Sequence, residues 1–203
     1  MSEPAYPLSS PDWPRQGSWT YADYRRLPDD GQRYEIIRGH LYVSPAPSYD
    51  HQFAVVQLTT LLNVWVREND IGVVLAAPFD VRLPARIGDP VQPDIVYIRK
   101  AAQPRSGDRN FQGAPDLVVE VASPSTRRRD RTVKLSAYRD AGVSEVWLVD
   151  PAARTIQVFV SGTDAEYREL GFFRSGEDAT STVLPGLRVN VDSIFPPRNS
   201  RGQ

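Results

Sequence analysis

The sequence of 203 residues predicts an α/β (α+β) fold in which helices flank a mixed β-sheet. Three observations favour this class of fold. Short runs rich in valine, isoleucine and tyrosine recur along the chain, as they do in strands. One long stretch in the first third has the apolar spacing of an amphipathic helix. A strand–helix–strand unit is followed by a hairpin, which predicts a sheet that contains both a crossover connection and a hairpin connection.

The first elements are a short helix and a hairpin. Thr20 has the position of an N-cap for a helix in YADYRRL. YEIIR (34–38) and LYVS (41–44) are predicted strands, and Gly39-His40 is the predicted turn between them. The domain is therefore expected to begin with one helix and one antiparallel pair.

A long helix is predicted next, because Ser48 precedes an amphipathic stretch from Tyr49 to Glu68. The apolar side chains expected on its buried face are Phe53, Val55, Val56, Leu58, Leu61, Leu62, Val64 and Trp65. Later strands are predicted at 71–77, 79–83, 93–98, 117–122, 144–150 and 155–160, and around 167–173 and 187–191. SPST (123–126) offers caps for a helix that continues to about Ala141 and ends at Gly142.

The composition limits the domain organisation and the binding partners that the protein can have. We expect one domain over residues 19–196, between a flexible arm (1–18) and a flexible tail (197–203). The absence of cysteine excludes disulfides and thiolate metal sites and fits the cytoplasm. The sequence has no signal-peptide pattern and no stretch suited to cross a membrane. Because the net charge is only −1, contact with nucleic acid requires a local basic patch.

Two carboxylates interrupt runs that otherwise suit a dry interior. Asp94 begins the strand PDIVYI, and Glu120 lies within LVVEVA. Each shares a strand face with apolar neighbours, so the two acids converge if the strands are adjacent. The alternative is that Asp94 caps a strand start while Glu120 points to solvent at a sheet edge. Buried carboxylates are rare unless they are paired or bind metal, which favours a site.

Lys134 lies on the same predicted stripe of the following helix as Asp130, Tyr138 and two alanines. It is expected either to face the sheet near the acids or to snorkel at the margin of the helix. Two carboxylates and a lysine suit metal-assisted hydrolysis of a phosphodiester. Mg²⁺ takes hard oxygen ligands, and an ammonium stabilises developing negative charge.

These motifs resemble a known family. PD at 93–94 and EVA at 120–122 look like the PD-(D/E)xK signature of restriction endonuclease-like proteins, with Ala122 where the usual pattern has lysine. The chain is similar to the Uma-two branch, in which the lysine has moved to the next helix. The resemblance covers about residues 20–195. Its motifs are YEIIRG (34–39), His51, QPDIVYI (92–98), VVEVASPST (118–126), and Asp130, Lys134 and Tyr138 before AGVSEVWLVDP (141–151).

The resemblance implies a restriction endonuclease-like fold and a set of roles. Asp94 and Glu120 would bind Mg²⁺ or Mn²⁺, with the Val121 carbonyl as a third ligand. Lys134 would be the catalytic lysine and Glu35 an accessory acid. His51 would contact the metal-bound water or the substrate. Without the resemblance, Glu35 would be interpreted as an exposed hairpin residue and His51 as a surface or capping residue.

Basic residues follow the glutamate strand. Arg127, Arg128, Arg129 and Arg131 are expected to bind the phosphate backbone of a nucleic acid, most simply DNA, although a solvated charge cluster is the commoner meaning of such a run. No aromatic residue is interleaved with them. A homodimer is expected for an enzyme that cuts two strands.

The main rival is a catalytically inactive module on the same fold that binds nucleic acid or protein, which Ala122 favours. A glycosidase-like carboxylate pair gives Lys134 no role. No nucleophile elbow, phosphate-binding loop or dinucleotide fingerprint is present.

Overall fold

The computed structural model describes residues 13–84, 87, 89–123 and 127–197. The strands are β1 (Arg33–Ile37), β2 (His40–Ser44), β3 (Gly72–Ala76), β4 (Asp80–Arg82), β5 (Ile95–Arg99), β6 (Asn110–Gln112), β7 (Leu117–Val121), β8 (Glu145–Asp150), β9 (Thr155–Ser161), β10 (Tyr167–Phe173), β11 (Asp178–Thr180) and β12 (Arg188–Asn190). The helices are α1 (Tyr21–Tyr24), α2 (Tyr49–Glu68), α3 (Arg127–Arg129) and α4 (Leu135–Ala141), with a π-helical turn at Asp130–Lys134 and 3₁₀ turns at Lys100–Ala102 and Val191–Ile194.

A six-stranded mixed sheet forms the centre, in the order β10-β9-β8-β7-β5-β3. Its one parallel pair is β7 with β8, and the remaining pairs are antiparallel. The predicted fold class is therefore confirmed, including the crossover from β7 to β8. In the pairing of β5 with β7, Ile95 lies opposite Val119, so the same register places Asp94 opposite Glu120.

One face of the sheet packs against α2. The buried side chains of α2 follow helical spacing and are His51, Ala54, Val55, Leu58, Leu62 and Val66. The bounds predicted for this helix are confirmed, and Ser48 Oγ accepts a hydrogen bond from the His51 N–H. The prediction that Val56 and Val64 are buried is wrong, because they lie on the opposite side of the helix and are 59% and 48% exposed. An apolar side chain alone does not determine the buried face.

The other face packs against a helix with a bulge. Arg127–Ala141 is helical throughout, and we call it the bulged helix because the π-helical turn interrupts its α-helical ends. Ala137 and Tyr138 are fully buried against this side of the sheet. Gly142 ends the helix in the left-handed region with φ of 86°, as predicted. The predicted caps at 124–126 lie outside the described residues.

The β1–β2 hairpin covers the same side of the sheet near Asp94. Its turn is Arg38-Gly39 and not the predicted Gly39-His40, and both turn residues have positive φ, 50° and 73°. Such angles are those of the tight turn that matches the twist of two strands. A Cβ on Gly39 would lie 2.4 Å from the Gly17 carbonyl oxygen, so the close approach of this segment also requires glycine.

Short strands outside the main sheet were not all predicted. β4 pairs in parallel with β6, which forms within the predicted loop, and β11 pairs with β12 in a small C-terminal hairpin. Three-residue strands carry too little periodicity to be recognised. In the proposed arm, residues up to 12 lie outside the description, whereas Trp13 stacks on Trp19 with ring centroids 5.4 Å apart. Among the described residues, no helix is long and apolar enough to cross a membrane.

Candidate active site

The two acids predicted to converge do so in the interior. Asp94 precedes β5 and Glu120 lies on β7, a central strand, and each is only 2% exposed. The alternative of a solvent-facing glutamate at a sheet edge is therefore excluded. Each carboxylate is instead surrounded by donors from other elements, which is what burial of a charge requires.

Asp94 is held by three groups. Arg33 Nη1 on β1 lies 2.7 Å from Oδ1, and the Val121 N–H donates to Oδ2 over 2.8 Å. His51 Nε2, at the start of α2, lies 3.3 Å from Oδ2. Burial alone would raise the pKa of Asp94, but the hydrogen bond of His51 and the charge of Arg33 outweigh it and hold that pKa well below its usual range. Asp94 is therefore a charged carboxylate at neutral pH.

Glu120 shares an ammonium with Glu35. Lys134 Nζ lies 3.0 Å from Glu120 Oε1 and 2.8 Å from Glu35 Oε1. Tyr138 Oη donates to Glu120 Oε1 over 2.5 Å, and the Gln92 N–H donates to Glu35 Oε1 over 2.9 Å. Lys134 and Glu35 are completely buried, so Lys134 does not snorkel and Glu35 is not an exposed hairpin residue.

The two glutamates titrate differently for a structural reason. Burial opposes the charge on both, but Lys134, Arg33 and Arg129 together lower the pKa of Glu35. Burial raises the pKa of Glu120 to about 8, because Lys134 is its one large favourable charge while neighbouring acids oppose its ionisation. Burial would lower the pKa of Lys134, yet the two glutamates raise it, so the ammonium is stably charged. Glu120 is thus the carboxyl most easily protonated.

The bulged helix positions the basic side of the site. Its π-helical turn contains Asp130 and Lys134, both buried. Arg129 precedes the turn, donates from Nη2 to Ser44 Oγ over 2.8 Å and lies 3.6 Å from Glu35 Oε2. Single-turn π-bulges in α-helices are frequent at functional sites.

The predicted substrate-binding residues separate into two groups. A pocket of about 250 Å³ lies at the carboxylates, and His51 and Arg129 line it together with Asp94, Glu120 and Val121. Arg128 and Arg131 are exposed, and Arg127 donates from Nη2 to Asp150 Oδ1 over 2.9 Å. One arginine therefore reaches the pocket while its neighbours lie around it.

The donor set fits a magnesium ion. Asp94 and Glu120 supply carboxylate oxygens to one pocket. Asp94 Oδ1 accepts from Arg33 and Glu120 Oε2 accepts from Lys134, and each of these two oxygens has a second lone pair beyond that bond. The Val121 N–H faces Asp94, and the carbonyl of a strand residue faces the same neighbour as its N–H. Among the described residues no group of three or more His, Cys, Asp or Glu side chains forms a metal cluster. Mg²⁺ typically uses one or two carboxylates and completes its shell with water and phosphate, so two carboxylates suffice.

Sequence reasoning missed Arg33 and assigned Tyr138 to packing alone. Arg33 and Glu35 are two residues apart on β1 and therefore share one face of the strand. This spacing was the one feature of the sequence that could have assigned Arg33 to the site. Tyr138 was recognised on the helical stripe, but the direction of its hydroxyl toward Glu120 depends on the depth of packing. Arg105 and Arg109, in the loop before β7, lie away from this site and line a separate hollow with Asp108 and Gln112.

Comparisons with known proteins identify a family and a similar fold. The model of the Uma2 family, described as "Putative restriction endonuclease", matches residues 21–192. Five chains of known structure match. One is a crystal structure described as a "putative nuclease belonging to DUF820" from Anabaena variabilis ATCC 29413, with a TM-score of 0.73 and 20% identity, covering 87% of this chain and 97% of that one. At this identity the likeness concerns the fold. No curated protein matches the chain significantly.

Proposed function

The chain belongs to the Uma2 family, and on that premise we propose that it is a metal-dependent endonuclease acting on nucleic acid, with DNA as the first candidate. The observation that carries the proposal is the buried Lys134 ammonium, which lies between Glu120 and Glu35 beside the pocket that Asp94 lines. A fully buried lysine between two carboxylates is costly to maintain and is typical of functional sites.

Asp94, Glu120 and the Val121 carbonyl would hold Mg²⁺, or Mn²⁺ in its place. The bound ion would supply positive charge to the scissile phosphate and would acidify water. Asp94 is suited to this role because its pKa is held low, so it offers a charged oxygen at any physiological pH. Arg33 and His51 fix its orientation from two different elements.

Lys134 supplies the ammonium that the usual pattern would place at Ala122. Its Nζ is within hydrogen-bond distance of Glu120, and Ala122 borders a recess that Glu120 also lines. A lysine on the helix therefore occupies the neighbourhood that a lysine on the strand would occupy. In this role it stabilises negative charge that develops on the phosphate oxygens.

Arg129 is the proposed phosphate ligand within the pocket. Its guanidinium is anchored to Ser44 and lies above the Tyr42 ring, 5.4 Å from the centroid, so its position is fixed before substrate binds. Arg127, Arg128 and Arg131 would contact the backbone outside the pocket, where such contacts position a strand without reading its sequence. A cytoplasmic location and a homodimer remain parts of the proposal.

One observation favours a second candidate, an inactive binding module. Both proposed metal ligands already have cationic partners, Arg33 for Asp94 and Lys134 for Glu120. A protein that had lost the metal would need such pairing to keep the carboxylates buried. The two candidates differ in whether the nucleic acid is cut.

Cleavage assays with matched variants test the proposal. Plasmid and single-stranded DNA are incubated with Mg²⁺, Mn²⁺ or EDTA. We expect cleavage by the wild type that EDTA abolishes, and a loss of at least about 100-fold in Asp94→Asn and Lys134→Met. The controls are Asp116→Asn, a buried aspartate paired with Arg99, and Lys100→Met, an exposed lysine. Binding of DNA without cleavage under every condition would support the inactive module and contradict the proposal.

A further inference from the structure

A second pocket adjoins the carboxylates. It has a volume of about 550 Å³ and shares Arg33, His51 and Asp94 with the smaller pocket at Glu120. A DNA strand whose phosphate lies at the proposed metal site beside Asp94 would therefore bring its neighbouring nucleotide to this second pocket. The volume lies within the range of pockets that bind small organic molecules.

The walls of this second pocket suit a flat ring with polar edges. Tyr24 contributes an aromatic side chain, and Leu27, Pro47 and Pro78 contribute apolar ones. Nucleobases stack on aromatic side chains irrespective of sequence, because every base has a π-face. The arginines of the bulged helix have no aromatic neighbours in sequence, so the aromatic surface comes from Tyr24 on α1 instead.

A buried amide in the wall lacks one partner. Gln92 Nε2 donates to Asp80 Oδ1 over 2.8 Å and to Tyr24 Oη over 3.1 Å. Because a carboxylate only accepts, the amide nitrogen must face Asp80, which turns Oε1 away from it. Gln92 is 8% exposed, and its Oε1 has no hydrogen-bond partner among the described residues. Buried acceptors usually have a donor, so Oε1, which is itself closed to solvent, would gain one if the amide turned toward a ligand with a donor edge.

We propose that this second pocket binds an unstacked nucleobase next to the scissile phosphate, so that the protein prefers single-stranded or locally unpaired DNA to intact duplex. The inference rests on the proposed function, because it takes the phosphate at Asp94 as its starting point. A base within a duplex is paired and stacked and must be extruded before it can enter such a pocket. A strand without pairing reaches the pocket without that cost.

The test compares three DNA probes by fluorescence anisotropy, with Ca²⁺ replacing Mg²⁺ so that no strand is cut. The probes are a labelled single-stranded oligonucleotide, a strand of the same length built of abasic sites, and the corresponding duplex. We expect the wild type to bind the base-bearing strand about tenfold more tightly than the abasic strand, the effect of losing one stacked base. The duplex is expected to bind more weakly than the base-bearing single strand.

Two tryptophan variants on α2 assign the difference to the pocket. Gln52 is exposed and lines the second pocket, so Gln52→Trp fills its mouth without changing the core. Val56 is 59% exposed and lies outside the lining, so Val56→Trp is the matched control. We expect Gln52→Trp to bind base-bearing and abasic strands equally, and Val56→Trp to discriminate as the wild type does.

The outcomes separate the inference from the proposed function. Equal binding of base-bearing and abasic strands by the wild type would overturn the inference, and so would discrimination that persists in Gln52→Trp. Failure to bind any of the three probes would overturn it as well. Discrimination that Gln52→Trp abolishes, in a protein that never cuts DNA with Mg²⁺, would support the pocket while contradicting the nuclease.

Discussion

Lys134 is the side chain on which both glutamates of the site depend. It is completely buried, and its Nζ lies within 3.0 Å of an oxygen from each of Glu35 and Glu120. Without that ammonium Glu35 would keep a desolvated charge, while Glu120, whose pKa burial already raises, would take a proton. The stability of the domain is therefore linked to the same residue as the proposed chemistry.

Lys134→Met should lower the free energy of unfolding by about 3 kcal/mol, because breaking a buried ion pair leaves charge uncompensated. Urea denaturation measures the change. Adding Glu35→Gln should recover part of the loss, since it removes one of the stranded charges, and the two substitutions should be non-additive. Unchanged stability in Lys134→Met, or strict additivity in the double variant, would contradict this description of the site.

Moving the lysine back to the strand tests whether its position or only its presence matters. Ala122 is half-buried and borders the recess that Glu120 lines. We expect Lys134→Met to cleave at least about 100-fold more slowly than the wild type. The double variant Lys134→Met/Ala122→Lys should cleave about tenfold faster than Lys134→Met alone. Cleavage rates on one plasmid substrate measure both. No recovery in a double variant that is folded by circular dichroism would show that the ammonium acts only from the helix.

Individual residues differ in how well the sequence predicted them. Asp94, Glu120 and Lys134 could be found because a charge within an apolar run or stripe is costly and needs a reason. Arg33 could not be assigned to Asp94, because the two lie on different elements that are joined only by the packing of β1 against the end of β5. Pairings across elements are set by tertiary structure, which periodicity does not describe.

At the scale of elements, the bulged helix was predicted in extent but not in geometry. Periodicity of 3.6 residues places Asp130, Lys134 and Tyr138 on one stripe, and all three are buried. The π-helical turn within it could not be predicted, because a single extra residue leaves that stripe almost unchanged.

For the whole molecule, the sheet order explains why the site lies where it does. The chain crosses from β7 to β8 through the bulged helix, while β5 lies on the other side of β7, so acids from two strands and a lysine from the crossover meet at one end of the sheet. The mixed fold could be predicted from the strand–helix–strand unit and the hairpin that follows. The separate β4–β6 pair could not, because it joins segments that are distant in sequence and only three residues long.

The proposed chemistry depends on a metal ion held by Asp94 and Glu120, and calorimetric titration with Mn²⁺ tests for it. We expect the wild type to bind Mn²⁺ and Asp94→Asn to bind it at least tenfold more weakly, because one of two carboxylate ligands is lost. Asp116→Asn should bind as the wild type does, because Asp116 lies at the opposite end of the sheet beside Arg99. Binding of Mn²⁺ by Asp94→Asn with wild-type affinity would show that Asp94 is not a metal ligand.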